Sequence, residues 1–179
     1  DRKPILGVCL GAQLLSVVLG GTVSEMLDKE IGWFPVDLTP AGRDSDIFRG
    51  FPQSFMAFHW HGDSFSMPPH AIHLAQSDAC DEQAFVYENH VVGLQFHLEL
   101  TEQTVAGLLE HCGNDIGCSP FIQDPDAILS CANYLPDAQA LLAKLLDNLI
   151  SASAAPLATV MPNDCQQRPS TPAHPVRWA

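Results

Sequence analysis

The stretch PILGVCLGAQLL, residues 4–15, constrains the fold more than any other part of this chain. An apolar run over 4–9 rises to Cys9, with Gly7 and Gly11 two residues to either side. Helical character begins at once, over 12–19, and Gly20-Gly21 supplies the stop. A buried strand, a tight glycine-bounded turn and a helix in immediate succession mark an α/β unit. A thiol at that junction reads either as a core residue or as a nucleophile on an elbow. The elbow reading draws on three features. Free N–H groups and the dipole at a helix start favour an anion at Cys9. Glycines at 7 and 11 keep side chains off the turn. The N–H of Leu10, the next residue, is a natural oxyanion donor.

A cysteine nucleophile needs a base, and the base needs an orienting acid. The segment GLQFHLE, residues 93–99, offers both. Residues two apart on a strand share a face, so His97 and Glu99 are expected side by side at the strand's end. In α/β-hydrolases the order is nucleophile, acid, histidine, whereas here the acid follows the histidine; that fold is excluded.

The rest of the chain divides clearly. Strands are expected at 31–39, 54–62, 71–77, 83–89 and 91–99, the last two forming a hairpin about His90. Thr101 caps a helix over 101–111, without a full capping box because Thr104 replaces the usual glutamate. Asp124-Pro125 opens a second helix, and 137–150 forms a third. Residues 1–150 therefore read as one domain, and 151–179, rich in proline, alanine and serine, as a mobile tail. His59 and His61 share a strand face but lack a third ligand at suitable spacing, so a hydrogen-bonded strand end is expected rather than a metal site. His73 reads as a satisfied or surface histidine, Cys80 and Cys112 as inert thiols. Trp33, Trp60, Phe55, Phe58 and Phe65 read as core or pocket wall.

Charge narrows the partners. A net charge of −13, with only eight Lys and Arg, excludes a nucleic-acid partner, which requires clustered cations. No apolar stretch approaches the roughly 20 residues of a membrane span. The six cysteines form no disulfide framework, and Cys112 and Cys118 lack the matching second pair of a zinc knuckle. With no secretory signal in view, a cytoplasmic setting with free thiols is expected.

Three segments in order, GVCLGAQ (7–13), HWHGD (59–63) and GLQFHLE (93–99), resemble the signatures of class I glutamine amidotransferases. The likeness runs over about 4–150 and is nearest to stand-alone proteins similar to the amidotransferase domain of GMP synthase. It implies a three-layer, flavodoxin-like α/β fold about a mostly parallel sheet, with an antiparallel patch from the 54–99 strands. It also implies roles. Cys9 would be the nucleophile, His97 the base and then the acid, and Glu99 the orienting acid. Gly11, Gln13, His61, Gly62 and Asp63 would contact the substrate. The implied reaction is hydrolysis of the glutamine γ-amide through a γ-glutamyl thioester, needing no cofactor and releasing ammonia to a synthetase partner. No GxxxxGK[ST] loop occurs in the sequence, so an ATP-using acceptor would lie on another polypeptide. Two alternatives keep the same residues: a γ-glutamyl peptidase or hydrolase, and a catalytically impaired binding or regulatory module. Members of the family carry several strands and a glycine-rich oxyanion loop before the elbow. The chain therefore reads as N-terminally truncated, with an exposed sheet edge and weakened catalysis expected.

Overall fold

The computed structural model describes residues 2–117 and 119–154. It opens with β1 (Ile5–Val8), the single residue Cys9, and α1 (Leu10–Val18). Then follow β2 (Val23–Leu38), α2 (Pro40–Asp44), β3 (Ser54–Phe65), β4 (Ile72–Gln76), β5 (Ala84–Tyr87) and β6 (Val91–Leu94). The helices α3 (Glu102–Cys112), α4 (Pro125–Ser130) and α5 (Leu135–Ala154) complete it. Six strands form one sheet in the order β1-β6-β5-β4-β2-β3.

The pleat of β5 shows why there are three layers. Ala84 and Val86 face one core, shared with Val105, Ile128, Leu145 and Leu149 of the C-terminal helices. Phe85, between them, faces the other way and packs with Ala12 of α1 and Phe65 of β3. Alternate residues thus serve opposite sides of the sheet, as strand geometry requires. Trp33, Phe55, Phe58 and Phe65 are all buried, as expected of core aromatics. Among the described residues, no helix is long and apolar enough to cross a membrane.

The three-layer α/β arrangement is as expected, but the balance of the sheet differs. Only β1 and β6 pair in parallel; every other strand pairing among the described residues is antiparallel. The connections from β2 through β6 carry no long crossover helix, so parallel neighbours are not available to them. The hairpin of β5 and β6 turns through Glu88 and Asn89, both at positive φ. β6 ends at Leu94 rather than at Glu99, and a bridge between His97 and Phe58 holds the continuation. A capping box does form on α3. The Thr104 hydroxyl accepts from the Thr101 N–H at 2.7 Å, doing what a glutamate usually does. Helix α5 takes in 151–154, and the remainder of the expected tail, with Cys118 and Cys165, lies outside the described residues.

Of the two elbow glycines, only Gly7 is sterically required. A Cβ there would stand 2.6 Å from the Gly11 carbonyl carbon and 2.6 Å from Leu15 Cδ1, whereas a Cβ on Gly11 would meet nothing within 4 Å. The expectation that a glycine clears the elbow is met at Gly7, and a side chain at 11 meets no other part of the chain. Gly7→Ala is expected to destabilise the fold by about 2–3 kcal/mol through overpacking against backbone. Gly11→Ala should leave the denaturation midpoint nearly unchanged, so paired urea titrations check the contrast.

Candidate active site

Cys9 sits at φ 49°, ψ −110°, a conformation L-residues seldom adopt. Such strain costs on the order of 1–3 kcal/mol and persists only where neighbours enforce it. Here its N–H donates to the Leu94 carbonyl at 2.7 Å, and its carbonyl accepts from the Gln13 N–H at 3.1 Å. The chain is thereby pinned between β6 and α1, with the half-buried thiol at the helix start. Leu10 opens α1, so its N–H is among the helix donors without an intrahelical acceptor.

His97 and Glu99 do meet, although not by strand pleat. His97 Nδ1 lies 2.6 Å from Glu99 Oε1, and the Leu98 N–H donates to Glu99 Oε2 at 3.0 Å. With Nδ1 engaged, Nε2 is the nitrogen left for Cys9. Burial works against a charged imidazole, but the neighbouring Cys9 thiol and the Glu99 carboxylate outweigh it and push His97 up to about 9. Burial likewise works against the Glu99 carboxylate. The His97 hydrogen bond and charge, with the Glu99 and Leu98 amides, hold it below the ordinary carboxylate range nonetheless.

These shifts carry opposite signs in stability. A His97 that holds its proton more tightly folded than unfolded stabilises fully below its ordinary value, near 6.5, and loses that contribution as pH rises through about 9. Glu99 stabilises above the ordinary carboxylate value and loses its part as pH falls. The melting-temperature gap between the wild-type chain and His97→Gln is therefore expected to shrink as pH is raised from about 7 to about 10. A constant gap over that range would mean that His97 is not charged in the folded chain.

Behind this pair lies a second polar cluster that includes a residue the sequence reading missed. In the β2–β3 register Glu30 stands opposite His61, and Gly32 opposite His59, so all three side chains converge. Glu30 Oε2 lies 3.1 Å from His59 Nδ1, 3.2 Å from His61 Nε2 and 2.7 Å from Gln83 Nε2. All four residues are buried. Burial opposes the Glu30 carboxylate, yet the hydrogen bonds and charges of His59 and His61 hold it well below the usual range. Burial lowers His59. The ligand atoms of Glu30, His59 and His61 lie within 4.8 Å of one another, a donor set that a small divalent cation accepts. The third ligand absent from the histidine spacing is thus supplied across the sheet.

The side chains expected to contact substrate divide into two groups. Gln13 and His61 turn inward and engage protein. Gln13 Nε2 lies 3.0 Å from the Asp63 carbonyl and 3.2 Å from Gln95 Oε1, and His61 Nδ1 lies 3.2 Å from the same carbonyl. Gln95, which the sequence reading passed over inside GLQFHLE, donates from Nε2 to Cys9 Sγ at 3.6 Å. Gly62 and Asp63, and with them His61, border a cleft of about 290 Å³, together with Glu25, Lys29, Trp60 and Asp115. Trp60 also borders Cys9, its carbonyl 4.0 Å from the sulfur. The cleft is charged on both signs, with Lys29 Nζ 3.3 Å from Asp115. Burial pushes the Cys80 thiol up to about 11, and His73 Nε2 faces the Ala75 and Asp81 carbonyls.

Comparison with known proteins bears on the same residues. The model of the family "Glutamine amidotransferase class-I" matches residues 1–112. The glutamine amidotransferase-like protein YfeJ of Salmonella typhimurium is 36% identical over 115 residues, which are 64% of this chain and 48% of YfeJ. A glutamine-hydrolyzing GMP synthase subunit from Methanothrix thermoacetophila is 34% identical over 116 residues, 61% of this chain and 62% of that one. A solved glutamine amidotransferase from Thermotoga maritima superposes with a TM-score of 0.73 at 33% identity, over 86% of this chain and 64% of its own. One from Methylobacillus flagellatus gives 0.78 at 26% identity, over 84% and 64%. The chain thus spans about half of YfeJ and under two-thirds of the other three. With the family match covering Cys9, His97 and Glu99, this chain belongs to the class I glutamine amidotransferases.

Proposed function

We propose that the chain hydrolyses the side-chain amide of glutamine at Cys9. The observation that carries the proposal is a thiol held at positive φ on a helix start, next to an imidazole bonded at 2.6 Å to a carboxylate. His97 takes the thiol proton on Nε2 and keeps it as imidazolium, and Glu99 fixes the tautomer and balances the charge. The sulfur attacks the γ-carbonyl carbon, a C–S bond forms, and negative charge gathers on oxygen near the Leu10 N–H. As the carbonyl re-forms the C–N bond breaks, and His97 passes its proton to the leaving nitrogen, which departs as ammonia. A water molecule then gives its proton to His97 and attacks the thioester. The C–S bond breaks, glutamate leaves, and the thiol is restored.

The cleft beside Trp60 supports an amino-acid substrate. Lys29 offers a partner for an α-carboxylate, and Glu25, Asp63 and Asp115 offer partners for an α-ammonium. The ammonia passes to a synthetase on a partner polypeptide, as the resemblance to a GMP synthase subunit suggests. The test is release of glutamate from glutamine and from a γ-glutamyl dipeptide, with covalent capture of Cys9 by a glutamine-mimicking diazoketone. Faster turnover of glutamine, with capture at Cys9, is the expected result. Faster turnover of the dipeptide would assign a γ-glutamyl hydrolase. Neither turnover nor capture would leave a binding module.

A further inference from the structure

A chain of buried side-chain amides ends on the Cys9 sulfur, and one backbone carbonyl fixes the direction of every link. The Asp63 carbonyl can only accept, so the Gln13 atom 3.0 Å from it is the amide nitrogen. That nitrogen also lies 3.2 Å from the Gln95 side chain, which must therefore turn its oxygen toward Gln13. The Gln95 nitrogen is left facing Cys9 Sγ at 3.6 Å, as a donor. Gln13 and Gln95 are 7% and 0% exposed, so water does not compete for the link between the two amides. Both Gln13 amide hydrogens have protein acceptors.

We infer that Gln95 is a catalytic residue for the proposed reaction: its amide N–H is held against the Cys9 sulfur and favours the anionic nucleophile. Gln13 is a positioning residue that prevents the Gln95 amide from flipping its oxygen toward the sulfur. The inference rests on Cys9 being the nucleophile. A hydrogen bond to an anion is stronger than one to a neutral group, so a fixed donor stabilises thiolate over thiol. His97 holds the proton and Gln95 holds the sulfur. The two act on different partners of the same transfer.

The test measures iodoacetamide alkylation of Cys9, resolved by peptide mass spectrometry, in the wild-type chain, Gln95→Met and Gln95→Glu. Methionine keeps the volume and removes the donor, and glutamate puts an acceptor in its place. Near neutral pH the expected order is wild type fastest, Gln95→Met slower by about tenfold, and Gln95→Glu slower still. The gap between wild type and Gln95→Met should close in alkali, where the thiol ionises without help, and Gln95→Met should melt within a few degrees of wild type. A purely structural role would lower the melting temperature and leave the pH profile in place. Equal, rapid alkylation in all three proteins overturns the role of Gln95 and leaves Cys9 as nucleophile. A wild-type Cys9 no more reactive than Cys112 overturns both. If neither variant folds, the readout is the wild-type Gln95 side-chain amide signal in ¹⁵N spectra. A shift of that signal on blocking Cys9 with a methylthio group supports the contact, and an unmoved signal overturns it.

Discussion

Replacing Cys9 with alanine is expected to lower glutamine hydrolysis by on the order of 10⁶-fold. The size follows from what the thiol does. In the proposed reaction it supplies the covalent path. Stability should fall only by the part of the His97 contribution that the thiol supplies, because the half-buried sulfur fills no core and alanine inherits the same strained backbone. A coupled assay for glutamate, run beside a thermal melt, checks both halves. Residual activity within tenfold of wild type would remove Cys9 from the mechanism altogether.

Glu99→Gln is the second large effect, a loss of roughly 10⁴-fold in kcat with KM nearly constant. The substitution keeps the shape and cancels the charge opposite His97 Nδ1, 2.6 Å away. An amide can also turn its NH₂ toward Nδ1, which would then accept. His97 would carry its hydrogen on Nε2, where it could no longer receive the thiol proton. Steady-state kinetics against glutamine measure the split between kcat and KM. A loss below tenfold would leave Glu99 as a surface carboxylate that merely accompanies the histidine.

Much of this was legible in the sequence because it is local. The elbow needs a strand, a cramped turn and a helix in succession, and PILGVCLGAQLL writes all three side by side. His97 and Glu99 pair for a simpler reason than a strand pleat, since residues two apart lie within reach in an extended chain whether or not it joins a ladder. Glu30 and Gln95 were not found, because each acquires its meaning from partners on other elements. Glu30 meets His59 and His61 only through the register of β2 on β3. Gln95 looks like an ordinary polar residue until Gln13, 82 positions away, orients its amide. The preference for antiparallel neighbours could have been read from the short connections after Thr22, but the strand–turn–helix start drew the expectation toward a parallel sheet.

The bond from the Cys9 N–H to the Leu94 carbonyl has a consequence for how the site would fail. β6 ends at Leu94, and the residues immediately beyond it carry Gln95, His97 and Glu99. The pairing of β1 with β6 therefore sets where Cys9 stands relative to the segment that carries Gln95, His97 and Glu99. Fraying of β1 from β6 would disengage all of them in one event. Amide hydrogen exchange across the register Ile5–Val8 with Val91–Leu94 thus reports the lifetime of the assembled site as well as that of the ladder.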